Sequence, residues 1–519
     1  MGLTYLCEAP PDLIKFRDSL QEKLYNKVKE FISSNRSTLL VSGPPGSGKT
    51  FITVYSLLDN FDGKVIVILR THSQQDHYAK LFDSFLPVRG IEVYCQVPQV
   101  KLHPLKNQLC RWLRLGKYST CIGCQYRMQF LNIPKYKIIS FLYSHSIELI
   151  KSILEHLEEK YILVFDEFQH CLPREQVIPS HFVQLASAEY GKGISLNQFI
   201  SESETQQMKK VGEENWKRVG YSYLLALTET IEYLNKKDRW FYRVDNGHAY
   251  LDDSIYSLIN DKKVKKVFIS ATPLPEVSEL GIQYHDKFHM NYELNTIFVV
   301  YVGFKFKFET RSDPKTTKHI RKLIYALSKY RSVIFFPSSS ALKSVFPKLP
   351  KDFTTEPAEY PEKNVLLISG GKWSEGIDLE TPEILCVLGI PYDDPVYRNP
   401  YLQQLFSYFK LYNVQVRKVL YDYKAVTKVV QSFGRGIRNP QQKLLVILAD
   451  RRYISEKIYA LFPSWLRYNL EKFKVIDDLS ILNEFIVRWN LNLNAEKWLE
   501  EVERERELER LQRLQRKMY

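Results

Sequence analysis

The run Gly43-Pro44-Pro45-Gly46-Ser47-Gly48-Lys49-Thr50 fits the spacing G-x-x-x-x-G-K-[ST], a pattern suited to holding a polyphosphate. Gly43, Gly46 and Gly48 let backbone N–H groups around Ser47 approach phosphate oxygens, and a helix starting at Lys49 would turn its positive N-terminus toward them. Lys49 then reaches the β- and γ-phosphates, and Thr50 offers its hydroxyl to Mg²⁺. Much farther along, Asp166-Glu167 supplies a carboxylate for the same Mg²⁺ and a second one to polarise an attacking water. Taken alone, an acidic pair is more often a solvated strand end; with the phosphate loop it reads as half of one ATP-hydrolysing site.

Two later runs carry groups that suit phosphate or ribose. One, Ser369 to Asp378, contains Glu375 and Asp378; the other, Gln431-Ser432-Phe433-Gly434-Arg435-Gly436-Ile437-Arg438, contains Gln431 and two arginines three residues apart. On a helix Arg435 and Arg438 would share a face. That spacing also describes a solvated helix face, but an arginine brought across a domain cleft can raise phosphoryl-transfer rates by about 10³–10⁵.

Four of the seven cysteines, Cys95, Cys110, Cys121 and Cys124, fall between the phosphate loop and the acidic pair. In a long chain without a disulfide pattern, such clustering points to a metal centre. Thiolates suit an iron–sulfur cluster and also zinc; structural zinc sites usually use two close pairs, and only Cys121 and Cys124 are close. Cys7, Cys171 and Cys386 are scattered and read as structural.

Positioning these groups requires parallel strands that end at one edge of a sheet. The apolar runs Thr38–Ser42, Tyr161–Phe165, Val267–Ser270 and Val333–Phe336 predict such strands, the first two delivering the phosphate loop and Asp166-Glu167. The 519 residues exceed one hydrophobic core, so several domains are expected. The apolar run at Lys64–Leu69 stops at Arg70, and no run reaches the roughly 20 residues of a membrane span. Residues 1–10 show no basic segment followed by an apolar one, so the expected location is cytoplasmic, with no membrane partner. A net charge of +14 favours a polyanionic partner, nucleic acid first. In the cysteine segment Lys101, Lys106, Arg111, Arg114, Lys117 and Arg127 outnumber Glu92, with Tyr94, Trp112, Tyr118 and Tyr126 between them. That interleaving suits a strand-separating surface, and equally an ordinary solvated basic face.

The order of motifs resembles the superfamily 2 helicases, and within them the iron–sulfur branch of the XPD/DinG type. The resemblance rests on GPPGSGKT, RTHSQ (70–74), VFDEFQH, SATPLP, VIFFPSSS, GGKWSEGID and QSFGRGIR, and covers most of the chain. Arg17 and Gln21 resemble the family's arginine–glutamine pair ahead of the phosphate loop. What the resemblance implies is an α/β fold: two RecA-like P-loop NTPase domains, the first carrying an iron–sulfur insertion and a helical arch-like insertion. The expected divisions are helicase domain 1 at 1–90, 136–171 and 256–290, the cluster insertion at 91–135, the arch at 172–255, and helicase domain 2 with a C-terminal helix at 291–519. The resemblance implies ATP, Mg²⁺ and a [4Fe–4S] cluster on Cys95, Cys110, Cys121 and Cys124. Arg70, Thr71 and His72 would bind DNA. The activity implied is ATP-dependent 5′ to 3′ DNA unwinding by a monomer on single-stranded and forked DNA, with repair or replication proteins as partners. A nucleic-acid-stimulated ATPase switch without unwinding is the alternative. Two departures favour that alternative: Gln169 stands where the family has the histidine of D-E-A-H, with His170 one place late, and the arch segment is short.

Overall fold

A computed structural model describes residues 16–95, 97–101, 106, 110, 124–145, 147–157, 159–196, 198–219, 222–237, 239, 241–261, 263–276, 280–307, 309–371, 382–394, 398–410, 414–434, 436–437, 440–470 and 473–518. The apolar runs form strands of two large sheets. In the first, the strands are β1 (Thr38–Ser42), β2 (Lys64–Leu69), β3 (Phe85–Pro87), β4 (Ile138–Leu142), β5 (Tyr161–Asp166), β9 (Lys266–Ser270) and β10 (Asp286–His289), between which β6 (Arg174–Pro179), β7 (Tyr242–Val244) and β8 (Gly247–Asp252) form a separate small sheet. The order is β10-β1-β9-β5-β2-β4-β3. β2 pairs in parallel with both β4 and β5, and β5 in parallel with β9. β1, β2 and β4 are buried along their whole length, as parallel strands covered on both faces must be. One strand, β9, separates β1 from β5, so the chain leaves the sheet at Ser42 and at Asp166 on either side of Ser270.

The second sheet holds β11 (Thr296–Tyr301), β12 (Ser332–Phe336), β13 (Phe353–Thr354), β14 (Asn364–Ile368), β15 (Ile384–Leu388), β16 (Leu444–Ala449) and β17 (Lys474–Ile476) in the order β13-β14-β12-β15-β16-β11-β17. Its pairings are parallel throughout. Helix Val414–Gly434 delivers Phe433 edge-to-face onto the fully buried Trp465, which closes this part of the core.

Residues 172–255 hold helices Ser180–Tyr190, Glu202–Val219 and Tyr223–Asn235 around a core of Phe182, Met208, Leu224, Leu227 and Ile231. The segment expected to be helical also contains the antiparallel sheet β6-β8-β7. Alternation predicts such strands: His248 and Tyr250 alternate with buried Ala249 and Leu251. Two compact units result, one of residues 1–41, 49–288 and 394–417 and one of 42–48, 289–393 and 418–519. Within the first, helix Pro400–Tyr408 lies against the small sheet, Tyr401 donating to the Pro173 carbonyl and Tyr408 to Asp253. None of the described helices is long and apolar enough to cross a membrane.

Candidate active site

Leaving β1, the chain adopts left-handed backbone at Gly46 (φ 69°) and Gly48 (φ 78°), conformations that side chains with a Cβ disfavour. At Gly43 a Cβ would come within 2.8 Å of Met290 Cβ, so only glycine fits. The loop passes directly into helix α2 (Lys49–Asn60), whose positive N-terminal end suits an anion. Burial pulls the Lys49 ammonium below its ordinary pKa, while Asp166 and Glu167 hold it up.

Asp166, nearly buried at the end of β5, is gripped from several sides. Thr50 Oγ1 lies 3.3 Å from its Oδ1, the Tyr78 hydroxyl donates to Oδ2 at 3.0 Å, and the Glu167 N–H donates to Oδ1 at 3.0 Å. Tyr143 donates to its main-chain carbonyl at 2.9 Å. Burial raises the carboxyl pKa; Lys49 and these hydrogen bonds oppose the rise. Thr50 and Asp166 together form an oxygen-donor pair beside a phosphate loop, which fits a Mg²⁺ ion. Glu167 has left-handed backbone (φ 50°), uncommon for a residue with a side chain and typical of functional turns. The turn is held by Phe168, buried against Phe268 and Tyr284.

The next two residues address the D-E-A-H departure. Gln169 Oε1 accepts from the Ser270 hydroxyl at 2.6 Å, joining the Asp-Glu turn to the first residue of SATPLP. His170 Nε2 meets Arg70 Nη1 at 3.1 Å, joining the same turn to RTHSQ. Two side chains thus make the links to neighbouring motifs. In RTHSQ itself Thr71 caps helix α3 (His72–Leu81) in a reciprocal box with Gln74, and His72 Nδ1 meets Gln75. The Thr71 hydroxyl therefore has a structural task besides any contact with DNA.

The remaining expected residues divide as follows. Arg17 and Gln21 sit at the start of helix α1 (Ser19–Ser33), where the Arg17 N–H donates to Gln21 Oε1. Gln431 is half-buried in the last turn of helix Val414–Gly434. Next to it Ser432 donates to Ser369, which ties this helix to the start of the SGGKWSEGID run. Glu375 and Asp378 lie outside the described residues, as do Arg435, Arg438 and Cys121. The expected helical face of the two arginines therefore lies outside the described residues; ahead of it the helix is described to Gly434, and the Gly436 N–H donates to the Phe433 carbonyl. Sequence reasoning missed Tyr78, Tyr143 and Phe168, whose only signal is aromatic character near the motifs.

Cys95, Cys110 and Cys124 border one small apolar cluster with Ile91, Val100 and Tyr126. All three are free thiols, and among the described residues no three potential ligands are gathered closely enough to hold a metal ion. The donor chemistry fits a thiolate-bound centre. Nearby, His145 is 6% exposed and its Nδ1 accepts the Leu142 N–H at 3.0 Å. Burial lowers its pKa to about 4, Glu92 opposing and His72, Arg174 and Lys106 reinforcing the shift. The unfolded imidazole takes a proton near pH 6.5 that the folded one refuses until about pH 4, so stability falls as pH drops through that window. The full difference is about 3 kcal/mol. His145→Asn, which keeps the acceptor and cannot titrate, is expected to flatten the loss by that order in denaturant titrations at pH 7 and pH 4.5.

Two parallel α/β lobes, a phosphate loop and a carboxylate across one strand define a two-lobed P-loop NTPase of RecA-like build. A Helicase C-terminal domain model matches residues 346–469. The ATP-dependent DNA helicase XPD of Sulfolobus acidocaldarius is 24% identical, covering 85% of this chain and 97% of that protein. The ATP-dependent DNA helicase DDX11 of Mus musculus is 33% identical over 115 residues, 21% of this chain and 12% of that protein. The chain thus matches only 12% of that relative and 14% of a human DDX11-like protein. A solved XPD helicase superposes with a TM-score of 0.66 at 19% identity, over 89% of this chain and all of that one. S. tokodaii Xpd4 follows at 0.59 and 18%, over 88% of this chain and all of the other. Domain, sequence and fold together support the resemblance to the XPD/DinG type of superfamily 2 helicase.

Proposed function

We propose that this chain is an ATP-dependent DNA helicase that moves 5′ to 3′ along single-stranded DNA and separates duplexes. The observation that carries the reading is the Thr50 hydroxyl 3.3 Å from the Asp166 carboxylate beside a phosphate loop, in a chain that also carries a helicase C-terminal domain. Lys49 neutralises the β- and γ-phosphates. Mg²⁺, held by Thr50 and Asp166, would supply further charge neutralisation. Glu167 orients the attacking water, and Gln431, Arg435 and Arg438 stabilise charge on the transferred group. Arg17 and Gln21 face the base, and Glu375 and Asp378 complete the nucleotide's surroundings. Arg70, Thr71 and His72 hold strand phosphates and sugars.

The Gln169–Ser270 bond supports productive coupling, because the turn that bears Glu167 is tied to a neighbouring motif without the family's histidine. Separation has a physical basis in stacking: a base on an aromatic side chain gains about 1–3 kcal/mol, comparable with the mean of about 1.4 kcal/mol lost per base-pair step. An aromatic wedge at 91–135 therefore holds one pair open, and ATP drives continued advance. Cys95, Cys110, Cys121 and Cys124 would hold a [4Fe–4S] cluster that fastens this segment. The protein works as a cytoplasmic monomer on forked DNA, with repair or replication proteins as partners.

A forked duplex with a 5′ tail tests the reading. Strand release that requires ATP, Mg²⁺ and the 5′ tail is expected. Strand-stimulated hydrolysis without release would replace it by a switch. ATP consumption indifferent to DNA would end it.

A further inference from the structure

We infer that Tyr78 is a positioning residue through which a bound strand acts on the ATP site, by way of its hydrogen bond to the Asp166 carboxylate. The inference rests on the helicase reading and goes beyond it, since nothing in the motif pattern marks this residue.

Helix α3 joins the two sites. Its N-terminus is built from RTHSQ, the segment expected to hold DNA, and the Thr71–Gln74 box fixes that end: Gln74 N–H donates to Thr71 Oγ1, and the Arg70 and Thr71 N–H groups donate to Gln74 Oε1. The helix is 10 residues long, so its turns move together. Two turns on, Tyr78 is 2% exposed, its ring between Phe82 and Phe85 at centroid distances of 5.9 and 5.6 Å. A ring packed so closely cannot reorient independently of its helix. Its hydroxyl donates to Asp166 Oδ2 at 3.0 Å, while Thr50 lies closer to Oδ1. Thr50 of α2 lies 3.3 Å from Oδ1 and 3.5 Å from Oδ2, and the Glu167 N–H donates to Oδ1, so the contact that α3 adds falls on Oδ2 alone.

A second contact runs parallel to the first. Arg70, just ahead of α3, meets His170 at 3.1 Å, on the far side of the turn that begins at Asp166. The segment that would grip a strand therefore clasps the Asp-Glu turn at both ends. Displacing α3 by strand binding must shift the carboxylate, or the hydroxyl must let go of it. Either way the free energy of the two ligands is linked, and the linkage is reciprocal.

The test measures that linkage by binding, without turnover. Affinity for fluorescein-labelled oligothymidine is determined with and without the imido analogue of ATP plus Mg²⁺, in wild type, Tyr78→Phe and Phe82→Leu. Wild type is expected to show a change of about fivefold or more. Tyr78→Phe keeps the ring and removes the hydroxyl; it should melt like wild type, bind the strand alone normally, and show a ratio near one. Phe82→Leu loosens the ring's packing and should melt lower yet keep the wild-type ratio. A wild-type ratio in Tyr78→Phe would overturn the inference while leaving the helicase reading standing. Loss of linkage in both variants would assign it to packing and overturn the role of the hydroxyl. A wild type that binds no single strand would remove the helicase reading, and this inference with it.

Discussion

Asp166→Asn is expected to lower kcat for strand-stimulated ATP hydrolysis by about 10²–10³, the range for loss of one preorganised electrostatic contact in a water-poor site. Asn has nearly the shape of Asp and can still accept from Tyr78 or from the Glu167 N–H, so the turn should survive. What disappears is the negative charge that faces Lys49 and that, with Thr50, would bind Mg²⁺. Because burial works against that charge, the site bears a free-energy cost that Lys49 and the hydrogen bonds offset in part and a bound cation would offset further. The loss should therefore appear in kcat and in the Mg²⁺ concentration needed for half-maximal rate, with the melting temperature little changed. Steady-state hydrolysis across a Mg²⁺ series checks this. Turnover like that of wild type would take Asp166 out of the chemistry.

Much of this site was legible because its parts are local in sequence. A phosphate loop is a strand, a glycine turn and a helix start in succession, and the structure has them at Thr38–Ser42, at Gly46 and Gly48, and at Lys49. Asp166 at a strand end followed equally from the apolar run Tyr161–Phe165. The rest depends on contacts between residues distant in the chain. Tyr78 and Asp166 are 88 positions apart, and Gln169 and Ser270 are 101 apart. No spacing rule covers such pairs, since the order β9-β5-β2 that brings them together is fixed by the whole sheet. The same holds for β6, which three helices separate in the chain from its antiparallel partner β8, whereas β7 and β8 form a local hairpin.

Protein purified without oxygen is expected to be brown and to carry about four irons and four sulfides per chain. Cys121→Ser should lose both, and with them ATP-driven opening of a fork, while hydrolysis stimulated by an unpaired strand persists. The reason is the size of the segment's core. Among the described residues its cluster has only Ile91, Val100, Cys110 and Tyr126 buried, with Cys95 and Cys124 at its margin. A module as short as residues 91–135 rarely folds in water on its apolar core alone, and natural modules of that size depend on a metal or disulfides. Three of the four cysteines belong to or border this one cluster, so a shared centre that drew their thiolates together would supply a cross-link. The sheet that leads into Lys49 and ends at Asp166 has its own core, with β1, β2, β4 and β5 buried nearly throughout, and needs no such help. Limited proteolysis should accordingly cut Cys121→Ser between residues 91 and 135 before any other part. A colourless protein with stoichiometric zinc would keep the cross-link argument and replace the iron–sulfur assignment. A metal-free protein resistant to protease there would refute both.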